Sequence, residues 1–308
     1  MAEINYDQLV TRFPIGEVIP PIMNRQIPSM TMINDTLVPG VNNYMEGGWI
    51  YNMPEPNPGV YEMVHKEYDE LVMLLGSDPN DPEYLGAEID FYVAGQPITI
   101  NKTSAMFIPA GIKHGPLVYK KFDKPWPDNR PHFMAGVMLG CGNLWDAWGD
   151  SGVAEPKKEL PKRTDNKDYS VLTPKKPAYE IGYGLKNRQS PSMTLMSSEL
   201  VPQAYSYINL CWIHDIPEPN PKFREHAHNY NELLVHIGGN PYSPYDLGAE
   251  IEFELGGKLY TLNTTSSVWL PKGVKQGPIK WKKVAKPHIE LSIIVDCGDA
   301  KKIYGDNV

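Results

Sequence analysis

The chain has 308 residues, enough for about two domains of ordinary size. It carries 29 Lys and Arg against 37 Asp and Glu, a formal net charge of −8 with no basic run, which excludes a surface built to hold nucleic acid. A hydrophobic fraction of 41% and a charged fraction of 21% exclude wholesale disorder, and no stretch approaches the roughly 18 consecutive apolar residues of a membrane-spanning helix.

The opening Met1-Ala2-Glu3-Ile4-Asn5 has neither a basic start nor an apolar core, so no signal peptide is expected and the expected compartment is the cytoplasm. With 30 Pro and 26 Gly, short strands are expected rather than long helices. In chain order, residues 71–75 form an apolar run, residues 87–93 alternate polar and apolar, and Gly95-Gln96 follows as a hairpin turn. Residues 98–100 read as the return strand, and residues 105–108 as the next, ended by Pro109-Ala110-Gly111. A charged, Pro-rich connector follows, including Glu155-Pro156-Lys157-Lys158. The second half repeats the series: an apolar run at 233–237, alternation at 249–255, a turn at Gly256-Gly257, and strands at 259–262 and 267–270 before Pro271-Lys272-Gly273. No window carries a long amphipathic helix, although the ends have room for short ones. The expected fold class is all-β, a sandwich or barrel.

The repetition is literal. Asn24-Arg25-Gln26 recurs as Asn187-Arg188-Gln189, an offset of 163 (187 − 24). Pro54-Glu55-Pro56-Asn57-Pro58 recurs at residues 217–221 with the same offset. Leu85-Gly86-Ala87-Glu88-Ile89 recurs from Leu247, now 162 later (247 − 85), and Pro131-His132 recurs as Pro287-His288, 156 later (287 − 131). The matches keep chain order, so the chain is a duplicated domain. The expected division is a first domain at 1–148, a solvated linker at 149–180 and a second domain at 181–308. Cys141, Cys211 and Cys297 are odd in number and lack CxxC spacing, which argues against a disulfide framework and a zinc knuckle.

Both halves carry one constellation. In the first it is Met63, His65, Glu70 and His114; in the second it is His226, His228, Glu232 and Gln276. Residues two apart on a strand share a face, so His226 with His228, and Met63 with His65, are expected to point into one interior. The Glu opens the next apolar run, and His114 or Gln276 follows the Pro-x-Gly turn. Two imidazoles and a carboxylate suit a divalent Fe, Mn, Zn, Ni or Cu ion, and with open positions they are the donor set of non-haem Fe(II) oxygenases.

With these residues the sequence resembles the cupin superfamily, and more specifically its two-domain bicupins. His226-x-His228-xxx-Glu232 matches the family's first motif in full, and Met63-x-His65-xxxx-Glu70 matches it with Met in place of the first His. Pro109-x-Gly111-xx-His114 matches the second motif, whereas Pro271-x-Gly273-xx-Gln276 departs at its last residue. The resemblance covers roughly residues 45–140 and 205–298. It implies two jelly-roll barrels with a metal site inside each: His65, Glu70 and His114 in the first, and His226, His228 and Glu232 in the second. Gln276 is then a weak fourth ligand or a substrate hydrogen-bonder. Met63 is expected to pack beside the ion and leave a position open. If one site binds more tightly, the first is favoured, because it keeps the late His.

His236 shares the parity of Glu232 and is expected to contact substrate or support a ligand. His132 and His288, equivalent in the repeat, are expected to be structural. The leading functional expectation is an Fe(II)-type oxygenase of a small organic or aromatic substrate. The alternatives are an isomerase, decarboxylase or hydrolase with the metal as Lewis acid, or a non-catalytic small-molecule or metal-binding bicupin. The expected partner is a small-molecule substrate; no nucleic acid and no membrane are expected, and a homodimer is compatible.

Overall fold

The alternation at residues 87–93 is the inside-outside rhythm of a long strand, Tyr84–Val93, in which Ile89, Phe91 and Val93 are buried while Glu88, Asp90 and Tyr92 are half-buried. Its repeat, Asp246–Leu255, buries Ile251, Phe253 and Leu255 by the same parity. The computed structural model describes residues 4–17, 22–59, 62–125, 128–143, 146–147, 159–180, 185–222 and 224–304. Nearly all regular structure among them is antiparallel strand, and no described helix is long and apolar enough to cross a membrane. The fold is all-β, as expected.

In the first barrel a seven-stranded sheet runs in the order Ile15–Glu17, Ser29–Ile33, Asn43–Glu55, His132–Leu139, Asp69–Gly76, Ser104–Ile108, with Met23–Arg25 paired to Asn43–Glu55. A three-stranded sheet, His114–Phe122, Tyr84–Val93 and Gln96–Lys102, faces it. The core lies between them, with Ile50, Leu74 and Met106 from one sheet packed against Ile89, Phe91 and Tyr119 from the other. The second barrel repeats the plan. Its larger sheet is built on Tyr207–Glu218, His288–Ile294, Glu232–Gly238 and Ser266–Leu270, and its smaller one on Lys275–Val284, Asp246–Leu255 and Lys258–Thr264. The hairpins turn at Ala94-Gly95 and Gly256-Gly257, both pairs at positive φ. The first turn therefore sits one residue earlier than expected, and Gln96 already belongs to the return strand.

The domain boundaries differ from those expected. One compact unit takes Met1–Pro14, Leu37–Pro39 and Lys175–Val308, and the other takes Ile15–Thr36 and Gly40–Pro174. The N-terminal arm explains the first difference. Its 3-10 turn Tyr6–Leu9 leads into the strand Val10–Thr11, which pairs with Ser266–Leu270 and so belongs to the second barrel. The linker reading fails at its C-terminal side for the same reason. The turn Tyr169–Leu172 buries Tyr169 and Leu172 in the core of the first barrel, and Thr173 Oγ1 donates to the Ala105 carbonyl at 2.9 Å. Tyr6 and Tyr169 are 163 apart (169 − 6), the repeat offset, so the two arms are equivalent. Burial of two large side chains outweighs a Pro-rich, charged composition. Residues 149–158 of the expected linker lie outside the described residues.

Three histidines are sealed inside. His132 Nε2 pairs with the Tyr119 hydroxyl at 3.0 Å, His288 Nε2 accepts from Trp281 Nε1 at 3.1 Å, and neither ring nitrogen of His236 has a hydrogen-bond partner among the described residues. Burial holds all three neutral, pushing His132 and His288 down to about 3 and His236 to about 4. The unfolded chain takes up these protons near pH 6.5 and the folded chain does not, so this contribution is whole above pH 6.5 and is lost as pH falls toward 3. His132→Gln keeps a partner for Tyr119 and cannot charge. Between pH 7 and pH 5 it should lose less stability than wild type, by about 1–2 kcal/mol. Urea unfolding at the two pH values checks this, and equal losses would contradict it.

Candidate metal centre

The first-barrel site is assembled by backbone pairing. Glu70 is the second residue of Asp69–Gly76, opposite Ile108 and Met138 on the neighbouring strands. Gly111 takes φ +79°, a conformation that excludes most side chains, and its N–H donates to the His65 carbonyl at 2.6 Å. Met63 and His114 exchange both backbone hydrogen bonds, at 2.7 and 2.9 Å. The Pro-x-Gly turn thereby brings His65 and His114 together across 49 residues of chain (114 − 65).

His65, Glu70 and His114 are 4%, 6% and 2% exposed, and their ligand atoms lie within 4.8 Å of one another. Glu70 Oε2 stands 2.8 Å from His114 Nε2 and 3.4 Å from His65 Nε2, yet none of the three atoms has hydrogen-bond geometry to any partner. The far ring nitrogens explain why. His114 Nδ1 faces the Ile112 carbonyl at 2.9 Å, and a carbonyl only accepts, so Nδ1 carries the proton. His65 Nδ1 faces the Tyr68 hydroxyl at 3.0 Å, and that hydroxyl commits its one hydrogen to the carbonyls of Asp146 and Ala147. His65 Nδ1 therefore donates as well. With the rings neutral, both Nε2 atoms are lone pairs aimed at a carboxylate. Three buried acceptors at this spacing need a cation between them, and two donors bound at right angles to one ion at about 2.1 Å lie about 3 Å apart. The residues present thus fit a divalent metal.

Without an ion, the electrostatics favour a proton in its place. Burial alone would raise the Glu70 carboxyl, but the His114 and His65 imidazoles outweigh it and hold the group at about 2. Burial would lower His114, but Glu70 outweighs it and holds the imidazole above its ordinary value. A proton on His114 is the charge that substitutes for the ion.

Glu70 and His114 stand on the wall of a cavity of about 80 Å³, room for several water molecules or a small organic molecule. Met63 lines it beside them, with Val72, Phe91 and Met134. A Cβ on Gly136 would lie 2.9 Å from Glu70 Oε1, so glycine at this position leaves the carboxylate room to face the imidazoles.

The second set does not close in the same way. Among the described residues only the first-barrel trio gathers three ligand atoms. His228 turns Nδ1 to Glu232 Oε2 at 2.9 Å, Gln276 Nε2 lies 3.3 Å from the same nitrogen, and Ser292 Oγ donates to Glu232 Oε1 at 2.6 Å. Ser292 occupies the place of Gly136 in the repeat (292 − 156 = 136). Burial would raise Glu232, but His228, Ser292 and Gln276 outweigh it and lower it. His226 lies beside His228, ring centroids 4.8 Å apart and planes tilted by 48°, with its Nδ1 on the Arg224 carbonyl at 2.9 Å. His226 and His228 are thus neighbours, and among the described residues the second set does not gather three ligand atoms. His236 lies deeper, fully buried opposite Glu290.

Sequence reasoning missed Arg25, Tyr44, Glu46, Tyr68 and Gly136. Arg25 sits in the repeated Asn-Arg-Gln run, so the signal was present without a role attached. Gly136 against Ser292, and Glu46 against Asn209, are differences between the repeats that mark the barrels as unlike.

No model of a known protein family matches the chain, and no curated protein matches it either. Among solved structures, the vicilin of Solanum melongena superposes with a TM-score of 0.52 at 8% identity, covering 94% of this chain and 85% of that one. The vicilin of Corylus avellana (hazelnut) gives 0.52 at 9% identity over 94% and 86%. A point mutant of oxalate decarboxylase from Bacillus subtilis gives 0.50 at 11% identity over 93% and 79%. At such identities the likeness concerns the fold. With two barrels repeated in one polypeptide and cupin-type proteins matching more than nine-tenths of its length, this chain is a bicupin by fold.

Proposed function

We propose that the protein is a metal-dependent enzyme of small organic substrates that works from its first barrel, with Fe(II)-type oxygenation as its chemistry. The observation that carries the reading is the convergence of buried ligand atoms on His65, Glu70 and His114, the last two on the wall of a cavity. These residues would hold the metal, Fe by preference and Mn, Zn, Ni or Cu with the same donors, leaving about three of six positions open. A bound ferrous ion supplies the dioxygen chemistry. The rest falls to the chain. Tyr68 and the Ile112 carbonyl fix which ring nitrogens face the cation. Val72, Phe91, Leu117 and Met134 exclude water.

Glu46 lines the same cavity, and burial holds its carboxyl above the ordinary value. Its Oε2 lies 3.3 Å from the Tyr44 hydroxyl, which also donates to Glu17 Oε2 at 2.6 Å, so Glu46 is positioned to take or give a proton at the cavity wall. The second barrel, whose carboxylate is satisfied by its own donors, serves as a support. The cytoplasm remains the proposed compartment, in keeping with three free cysteines.

Protein prepared without oxygen and loaded in turn with Fe, Mn and Zn tests the reading against enol and phenol substrates. Iron-dependent oxygen uptake that His114→Ala abolishes is the expected result. Tight zinc with turnover indifferent to oxygen would replace oxygenation by Lewis-acid chemistry. Unchanged small-molecule affinity in His65→Ala, with no turnover under any metal, would replace both by simple binding.

A further inference from the structure

We infer that the first-barrel cavity takes small organic acids as their anions, the Arg25 guanidinium anchoring the carboxylate on a wall shared with Glu70 and His114. The inference rests on the metal-centre reading for the reacting end of the substrate, and on Arg25 alone for the anchor. Arg25 ends the strand Met23–Arg25, opposite Ile50, with a side chain 8% exposed. Its one ion-pair partner among the described residues is Glu46, at 3.8 Å, beyond hydrogen-bond distance.

The second barrel supplies the internal control. Arg188 holds the same register, opposite Ile213, but it donates to Glu290 Oε1 at 3.1 Å, and Lys222 binds the same carboxylate. In the first barrel Glu290 is replaced by Met134 (290 − 156 = 134) and Lys222 by Gly59 (222 − 163 = 59). The arginine has been kept, but its carboxylate at hydrogen-bond distance has been exchanged for Glu46 at 3.8 Å, where the second barrel carries Asn209.

Charge gives the same answer. In the second barrel Arg188 and Lys222 balance Glu232 and Glu290. In the first, a bound divalent ion and Arg25 would oppose Glu70 and Glu46, leaving one positive charge in excess. A buried excess of positive charge favours a bound anion, and the guanidinium fork fits a carboxylate. Met63, Val72, Phe91, Leu117 and Met138 make the remainder of the wall apolar, so the rest of the acid is hydrocarbon, aliphatic or aromatic.

Calorimetric titration of the full-length protein tests this, metal-loaded and metal-stripped, with benzoate and isobutyrate against benzamide and isobutyramide. The acids should bind at least about tenfold more tightly than the amides, and Arg25→Gln should weaken the acids by about thirtyfold while leaving the amides unchanged. The acid-to-amide ratio in wild type stands even if that variant fails to fold, and Arg25→Lys should retain part of the preference. Equal binding of acid and amide, an Arg25→Gln protein with full acid affinity, no acid binding at millimolar concentration, or inorganic phosphate as tight as benzoate would each overturn the inference. Metal content of the same samples separates the two readings. Arg25-dependent acid binding in protein that takes up no metal would sink the metal centre and keep the anchor, and metal uptake without acid preference would do the reverse.

Discussion

Changing His114 to glutamine, the residue the second barrel carries at that position, should strip the first barrel of its metal. The expected result is a fall from about one ion per chain to less than about a tenth after desalting, read by elemental analysis. The size follows from the donor count. Structural metal sites with four ligands bind with roughly 10–16 kcal/mol, about 3 kcal/mol per ligand, so loss of one donor weakens affinity by at least about a hundredfold. Here only three donors converge, and the loss leaves two. Glu70→Gln should be as severe, because it replaces the one anionic donor of the trio by a neutral amide. His228→Ala, made in the second barrel, should leave the metal in place. A His114→Gln protein with stoichiometric metal would show that the trio is a hydrogen-bonded core cluster and nothing more.

Gly136→Ser should weaken metal binding by about a hundredfold although every ligand residue is kept. The new Cβ would lie 2.9 Å from Glu70 Oε1, so the carboxylate must shift within a packed interior. The hydroxyl would then do what Ser292 does at 2.6 Å in the second barrel, and give the carboxylate a donor in place of a cation. Metal titration read by competition with a chelator measures the loss. Urea unfolding of the metal-free variant should show little change, which separates a lost site from a damaged barrel. Unaltered affinity would mean that the room beside Glu70 is incidental.

The architecture was legible because the strand period is written into the chain. Ile89, Phe91 and Val93 alternate with half-buried residues along Tyr84–Val93, and the same parity recurs at Ile251, Phe253 and Leu255. The trio was legible because a short spacing and a Pro-x-Gly turn fix His65, Glu70 and His114 near one another. What escaped was set by contacts between distant strands. Nothing local to Glu46 says that it shares a wall with Glu70, since that depends on Asn43–Glu55 and Asp69–Gly76 flanking His132–Leu139. The difference between the two sets was hidden for a related reason. His228 and Glu232 have metal-ligand spacing, but Ser292, 60 residues further along (292 − 232), supplies a proton donor that satisfies the carboxylate. The linker was misread because Tyr169 and Leu172 find their cavity only once the barrel is closed.

The reciprocal arms carry a historical implication. Each repeat lends its leading turn to the partner repeat, Tyr6–Leu9 to the second barrel and Tyr169–Leu172 to the first. A single ancestral copy could have covered its exposed strand edge only by trading arms with a twin. Fusion of two copies turned that trade into an intramolecular one, at an effective concentration no dilution can lower. Once the exchange no longer depended on meeting an identical molecule, the two barrels were free to diverge, one toward an open cation pocket and the other toward a closed polar core.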